Sequence, residues 1–95
     1  MFFKKIQQEL IVYRFIDAYL DFYGEFKVPI ISKQFQIKQS IAKEIVTKYQ
    51  RKRPRNLTYD PIKKKYVKGA EFEKMFLVNE SSFLYLDAIK ILYTK

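Results

Sequence analysis

Residues 3–23 run without a glycine or proline and place apolar side chains on more than one face of a helix. Ile6, Leu10, Tyr13, Ile16 and Leu20 share one stripe, while Val12, Phe15, Tyr19, Phe22 and Tyr23 fill much of the other side. Lys5, Gln7, Arg14, Asp17 and Asp21 belong to the polar remainder. A helix that is apolar on most sides is stable only if it is covered on most sides. This helix must therefore be buried on most sides, and Gly24 is placed to end it as a C-cap.

Downstream, Pro29 stands where a first-turn proline would, opening a short helix over residues 29–35 with Ile31 and Phe35 on one face. Gln36, Ile37 and Lys38 form a turn, and a further helix is predicted over residues 39–49. At about 100° per residue, Ala42, Ile45, Val46 and Tyr49 fall in one arc of that helix, and Gln39, Ser40, Lys43, Glu44 and Thr47 fill the arc opposite. Ile41 belongs to neither. Two helices joined by so short a turn, with a small alanine where the second crosses the first, make a helix-turn-helix.

Gln50-Arg51-Lys52-Arg53-Pro54-Arg55 reads as a basic connector that proline keeps from continuing as helix. Residues 56–67 read as a hairpin. Leu57 and Tyr59 alternate with Thr58, Asp60-Pro61 builds the turn, and Tyr66 and Val67 form the return, with Tyr59 and Tyr66 expected as a cross-strand pair. A last helix is predicted over residues 81–93, capped by Ser81 or Ser82. The expected fold is mainly α with a small β-hairpin. It divides into a winged helix-turn-helix over residues 1–78 and a C-terminal helix over residues 79–95.

The net charge of +9 is confined to one third of the chain. Between Lys38 and Lys68 there are eleven basic residues against two acidic ones, and the remainder balances eight against eight. A solvated basic face kept for solubility would account for the charge alone. Its coincidence with a two-faced helix and a basic hairpin points instead to a surface that meets phosphates. With no cysteine and no histidine, thiolate chemistry, a disulfide framework and the commonest general base and metal ligand are all missing. Asp17, Asp21, Glu25, Glu71 and Glu73 read as ordinary surface acids, so no catalytic residue, metal or cofactor is expected. Absence of a long apolar run and of a signal-peptide pattern gives the expectation of a cytoplasmic protein without membrane contact.

The stretch from Phe35 to Phe76 resembles the N-terminal winged helix-turn-helix domain of bacterial WYL-domain transcriptional regulators, including those associated with phage-defence loci. The residues that carry the likeness are Phe35, Gln36, Ile37, Ala42, Tyr49, Pro54, Arg55, Asn56, Leu57, Tyr59, Asp60, Lys64, Tyr66, Gly69, Phe72 and Phe76, which follow the family pattern without a gap. Gln36 and Arg55 stand where glycine is usual, and Ile45 where aspartate is common. The turn at Gln36 must therefore tolerate a side chain, and Ile45 offers no polar group for a contact the family makes there. The ligand-sensing WYL domain and C-terminal extension that follow in the family lie outside these residues, so the chain reads as a fragment or as a free-standing module.

These readings converge on a sequence-specific regulator of transcription, a repressor, that binds duplex DNA. The alternative is an RNA-binding or protein-interaction module without a transcriptional role. RNA or membrane binding accounts only for the charge, since the aromatics fall mostly on helix stripes and the long helix is near neutral. Gln39, Ser40, Lys43, Glu44 and Thr47 are the expected base-reading residues. Lys38, Lys48, Arg51, Lys52, Arg53, Arg55, Lys63, Lys64 and Lys65 are the expected phosphate contacts. Glu44 is expected either to accept from cytosine or to orient Lys43 or Lys48. No small-molecule ligand is expected. A homodimer is, formed by the last helix and the apolar sides of the first.

Overall fold

The computed structural model describes residues 2–93. Its elements run α1 (Phe2–Tyr23), β1 (Glu25–Phe26), α2 (Val28–Phe35), α3 (Gln39–Lys52), β2 (Leu57–Asp60), β3 (Lys65–Lys68) and α4 (Ser82–Tyr93). The side chains of Lys5, Ile6 and Gln7, placed by periodicity on α1, lie outside the described ones. α1 is covered as its pattern demands, with Val12, Ile16 and Leu20 completely buried and Tyr13 and Phe15 nearly so. Coverage fails at its C-terminal end, where Phe22 and Tyr23 stay half exposed. Gly24 ends the helix in the left-handed region at φ 81°, its N–H donating to the Leu20 carbonyl at 2.9 Å.

Pro29 lies in the first turn of α2, as the sequence implies. Gln36 ends that helix at φ 55°, and the next amide, Ile37, donates to the Ser32 carbonyl at 3.1 Å. Gln36 thus adopts the backbone for which the resembling family uses glycine. α3 then crosses α2 on its apolar arc, with Ala42, Ile45, Val46 and Tyr49 all buried and Ala42 completely so. A larger side chain at Ala42 would hold the helices apart.

Three features differ from the sequence reading. α3 runs to Lys52 rather than stopping near Tyr49, so Arg51 and Lys52 are helical and the connector shrinks to residues 53–56. Proline disfavours helix only in the residue before it, here Arg53, which is the C-cap; Arg51 and Lys52 are free to continue. The hairpin is also joined by β1 into a three-stranded antiparallel sheet of order β1-β3-β2, with Glu25 opposite Val67 and Phe26 opposite Tyr66. Two residues after a helix are too few to show an alternating pattern. The expected Tyr59–Tyr66 cross-strand pair does form, with ring centroids 4.9 Å apart. Third, α4 packs on α1 in the same chain, so part of the apolar side of α1 assigned to a dimer is covered internally. Ile89 of α4 joins the core, the Tyr85 hydroxyl donates to the Ile11 carbonyl at 3.0 Å, and Ser81 caps the helix by accepting from the Leu84 amide at 3.2 Å.

Gly69 marks where the sheet exit passes against the start of β2, its N–H donating to the Asn56 carbonyl at 2.9 Å. A Cβ at that position would lie 2.0 Å from the Arg55 carbonyl oxygen, whereas one at Gly24 would meet nothing within 4 Å. Gly24→Ala is expected to cost about 1 kcal/mol, the strain of a left-handed backbone alone. Gly69→Ala must displace main chain and is expected to cost about 2–3 kcal/mol. Urea denaturation of both variants tests this, and equal losses would show that the Arg55 crossing relaxes freely.

Candidate nucleic-acid interface

Burial of the apolar arc of α3 leaves its opposite arc facing out. Gln39, Ser40, Lys43 and Glu44 are exposed, and Thr47 is half-buried, its hydroxyl turned back to donate to the Lys43 carbonyl at 2.9 Å. Ile41 is 43% exposed beside that arc, which settles the position its periodicity left open, and Ile45 is buried. The basic residues fall into two groups. Lys38, Arg51, Lys52, Lys63 and Lys64 are exposed and make no ion pair among the described residues. They occupy the two ends of α3 and the tip of the hairpin.

The second group is tied to acids. Lys48 Nζ lies 2.9 Å from Glu9 of α1 and 3.7 Å from Glu44, one turn away on its own helix. The hydrogen bond to Glu9 is the main cause holding the Lys48 ammonium above the usual lysine range, so it carries its charge throughout neutral pH. Arg53 sits 3.9 Å from Glu73, Arg55 2.6 Å from Glu71, and Lys65 2.7 Å from Glu25 on β1. Where such a pair is exposed, as Arg55–Glu71 is on both sides, it is worth at most about 1 kcal/mol, so an arriving phosphate can displace the acid. Lys65 is the exception in reach, because its side chain is only 17% exposed.

The hairpin tip is built by Asp60, whose carboxylate accepts from the Ile62 and Lys63 amides at 3.0 and 3.1 Å. Lys64 follows at φ 54°. With its turn so fixed, the tip presents Lys63 and Lys64 to solvent on the short two-stranded arm that follows α3 in the chain.

What holds α3 at its angle is an acid that sequence reasoning misplaced. Asp17 is not a surface residue; it is completely buried. Its Oδ1 accepts from the Tyr49 hydroxyl, and its Oδ2 accepts from the amides of Met75, Phe76 and Leu77 at 2.8, 2.5 and 3.0 Å. Asn56 completes the network. Its Nδ2 donates to the Tyr49 oxygen at 2.9 Å and to the Glu73 carbonyl at 2.8 Å, while its Oδ1 accepts from the Glu73 amide at 3.1 Å. Burial, with Asp17 beside it, pushes the Tyr49 hydroxyl far above the ordinary tyrosine range, so it remains a donor. The sequence did carry one signal: Asp17 lies at i+4 from Tyr13 and i−3 from Leu20, on the buried stripe.

A helix-turn-helix whose second helix shows a polar arc, followed by a basic antiparallel arm, defines a winged helix-turn-helix domain. Residues 8–90 match the BrxR transcriptional regulator winged helix-turn-helix domain, and the chain belongs to that family. The family is one of DNA-binding regulators of transcription rather than of enzymes, in line with the resemblance to N-terminal domains of phage-defence regulators. A comparison with curated proteins found no match. Among the described residues no helix is long and apolar enough to cross a membrane.

Asp17→Ala leaves four donors without their acceptor around a fully buried site and is expected to cost about 3–5 kcal/mol. Tyr49→Phe removes two hydrogen bonds, one to Asp17 and one from Asn56, and is expected to cost about 1–3 kcal/mol. Urea denaturation reads both; a loss under about 1 kcal/mol for Asp17→Ala would mean that the amides find other partners and the carboxylate does not hold the fold.

Proposed function

We propose that this chain is a sequence-specific, duplex-DNA-binding repressor that acts in the cytoplasm as a homodimer, α3 entering the major groove and the hairpin lying along the phosphates. The observation that carries the reading is the placement of charge. The polar arc of α3 is flanked at both ends and on the hairpin by cations that have no acid of their own among the described residues. Gln39, Ser40, Lys43, Glu44 and Thr47 are assigned to base edges: Lys43 matches guanine, Gln39 adenine, and Glu44 either accepts from cytosine or orients Lys48. Lys38, Arg51, Lys52, Lys63 and Lys64 are assigned to phosphates directly. Lys48, Arg53 and Arg55 join them by exchanging an acid for a phosphate, and Lys65, the least exposed of the four, contributes least.

Fluorescence anisotropy with a cognate duplex, a random duplex and a single-stranded RNA of equal length, over a salt series, tests this. The logarithmic slope is expected to flatten by about 0.9 for each phosphate that a variant no longer neutralises. Lys63→Ala with Lys64→Ala should therefore flatten it more than Lys65→Ala alone. An unchanged slope removes the hairpin from the interface, and tighter binding to RNA removes duplex DNA as the target. Lys43→Ala is expected to weaken cognate binding more than random binding; equal weakening would make Lys43 a phosphate-binding residue.

The dimer is assigned to the C-terminal helix, on the face of α4 turned away from α1. Leu84, Ala88 and Ile91 recur there at the spacing of a helix–helix seam, all exposed, with Leu92 beside them at 74%. A paired α4 would present two recognition helices to an inverted repeat. Sedimentation equilibrium is expected to give twice the 11.6 kDa chain mass, and Leu84→Glu with Ile91→Glu to return it to one. A wild-type chain that sediments at 11.6 kDa at micromolar concentration rules the dimer out.

A further inference from the structure

The C-terminal end of α1, α2 and α4 enclose three sides of an open groove of about 490 Å³. Six rings line it, those of Phe15, Tyr19, Phe22, Tyr23, Phe83 and Tyr93. They lean on one another rather than filling the space: Tyr19 and Tyr23 have centroids 4.4 Å apart, and Phe22 and Phe83 5.7 Å apart across the α1–α4 junction. Phe22, Tyr23 and Phe83 remain at least half exposed. The charged residues on the lining are Lys33 of α2 and Asp87 and Lys90 of α4, two cations against one acid. Lys33 makes no ion pair among the described residues.

We propose that this groove is a binding site for a planar aromatic anion of two or three rings, its ring system stacked among Tyr19, Phe22, Tyr23 and Phe83 and its acidic group met by Lys33. The volume lies in the range of small-molecule sites, which combine apolar walls with a few placed polar groups. Aromatic walls favour a flat π-system, which can lie offset against several rings at once. The Lys33 ammonium selects an anion over a neutral or cationic ring compound, and a carboxylate, sulfonate or phosphate satisfies it equally. A flat exposed patch would suit a second protein; a three-sided groove with amines on its lining suits a ligand that fills it.

The groove also adjoins the element that sets the recognition helix. Gln36, on the lining, is the left-handed residue that turns α2 toward α3, and the Gln34 side chain reaches the Ile89 carbonyl of α4 at 3.5 Å. A ligand wedged between α2 and α4 shifts α2, and α3 packs on α2. Occupancy therefore changes DNA affinity, a consequence that rests on the DNA-binding reading above, whereas the binding site itself does not.

The test uses the full chain with 8-anilinonaphthalene-1-sulfonate and its uncharged counterpart N-phenyl-1-naphthylamine. Fluorescence titration is expected to give one sulfonate probe per chain, with amide shifts by NMR at Tyr19, Lys33, Gln36, Phe83 and Lys90. Lys33→Ala is expected to weaken the sulfonate about fivefold and leave the neutral probe unchanged. Phe83→Ala, at a position more than half exposed, is expected to weaken both probes while lowering the melting temperature by only a few degrees, the chain staying folded at the temperature of the titration. Shifts confined to the basic face of α3 and the hairpin, or equal effects of Lys33→Ala on both probes, overturn the proposal. So does sulfonate binding that appears only on dilution, which would assign the groove to a second copy of the chain. DNA affinity measured with and without the probe then reads the coupling. A chain that binds the sulfonate in the groove and does not bind DNA leaves the site standing and removes only the regulatory consequence.

Discussion

The Asp17 carboxylate accepts four hydrogen bonds in a place closed to solvent, and the positions of several elements follow from it. A buried carboxylate is costly unless nearly all its lone pairs are used. Here they bind the C-terminal turn of α3 through Tyr49 and the chain leading to α4 through three successive amides. Asn56 extends the same network to the foot of β2. The recognition helix, the arm and the segment beyond Gly69 are thereby referred to one point on α1. Displacing any of them strands a donor or acceptor, so the spacing between α3 and the hairpin is held more firmly than apolar packing alone would hold it.

Around that strut the charges are sorted by partner. Lys48, Arg53, Arg55 and Lys65 lie beside acids of α1, β1 and the segment after β3, and they help to position α3 and the hairpin. The exposed cations at the ends of α3 and on the hairpin tip have no such duty among the described residues. A surface arranged in this way keeps its basic field while fixing the arms that carry it. The acids that neutralise the paired cations come from outside the basic third of the chain, apart from Glu44, and only folding brings the two together.

Much of this fold was legible because its signals are local. Pro29 opened α2 and Gly24 closed α1 through backbone rules that act within one turn. The two arcs of α3 followed from its period, and Tyr59 found Tyr66 because the turn between them fixes the register. β1 was not legible, since a two-residue strand exists only by pairing with β3. The end of α3 was misjudged because proline restricts only the residue before it. Asp17 was grouped with the surface acids by its chemistry, although its spacing from Tyr13 and Leu20 put it on the covered stripe.

By itself, the sequence determined that α1 must be enclosed, that α3 has one face for the core and one for a partner, and that the positive charge gathers on the later helix and hairpin. These are properties of periodicity and composition, which operate over a few residues and need no knowledge of what lies opposite. Tertiary structure alone decided which cations are left without acids, that a carboxylate would replace apolar packing at the centre, and that α4 would cover one side of α1 and leave an aromatic groove on another. Each depends on groups distant in sequence meeting at a definite distance, and such a meeting is set by the packing of whole elements rather than by any pattern within one.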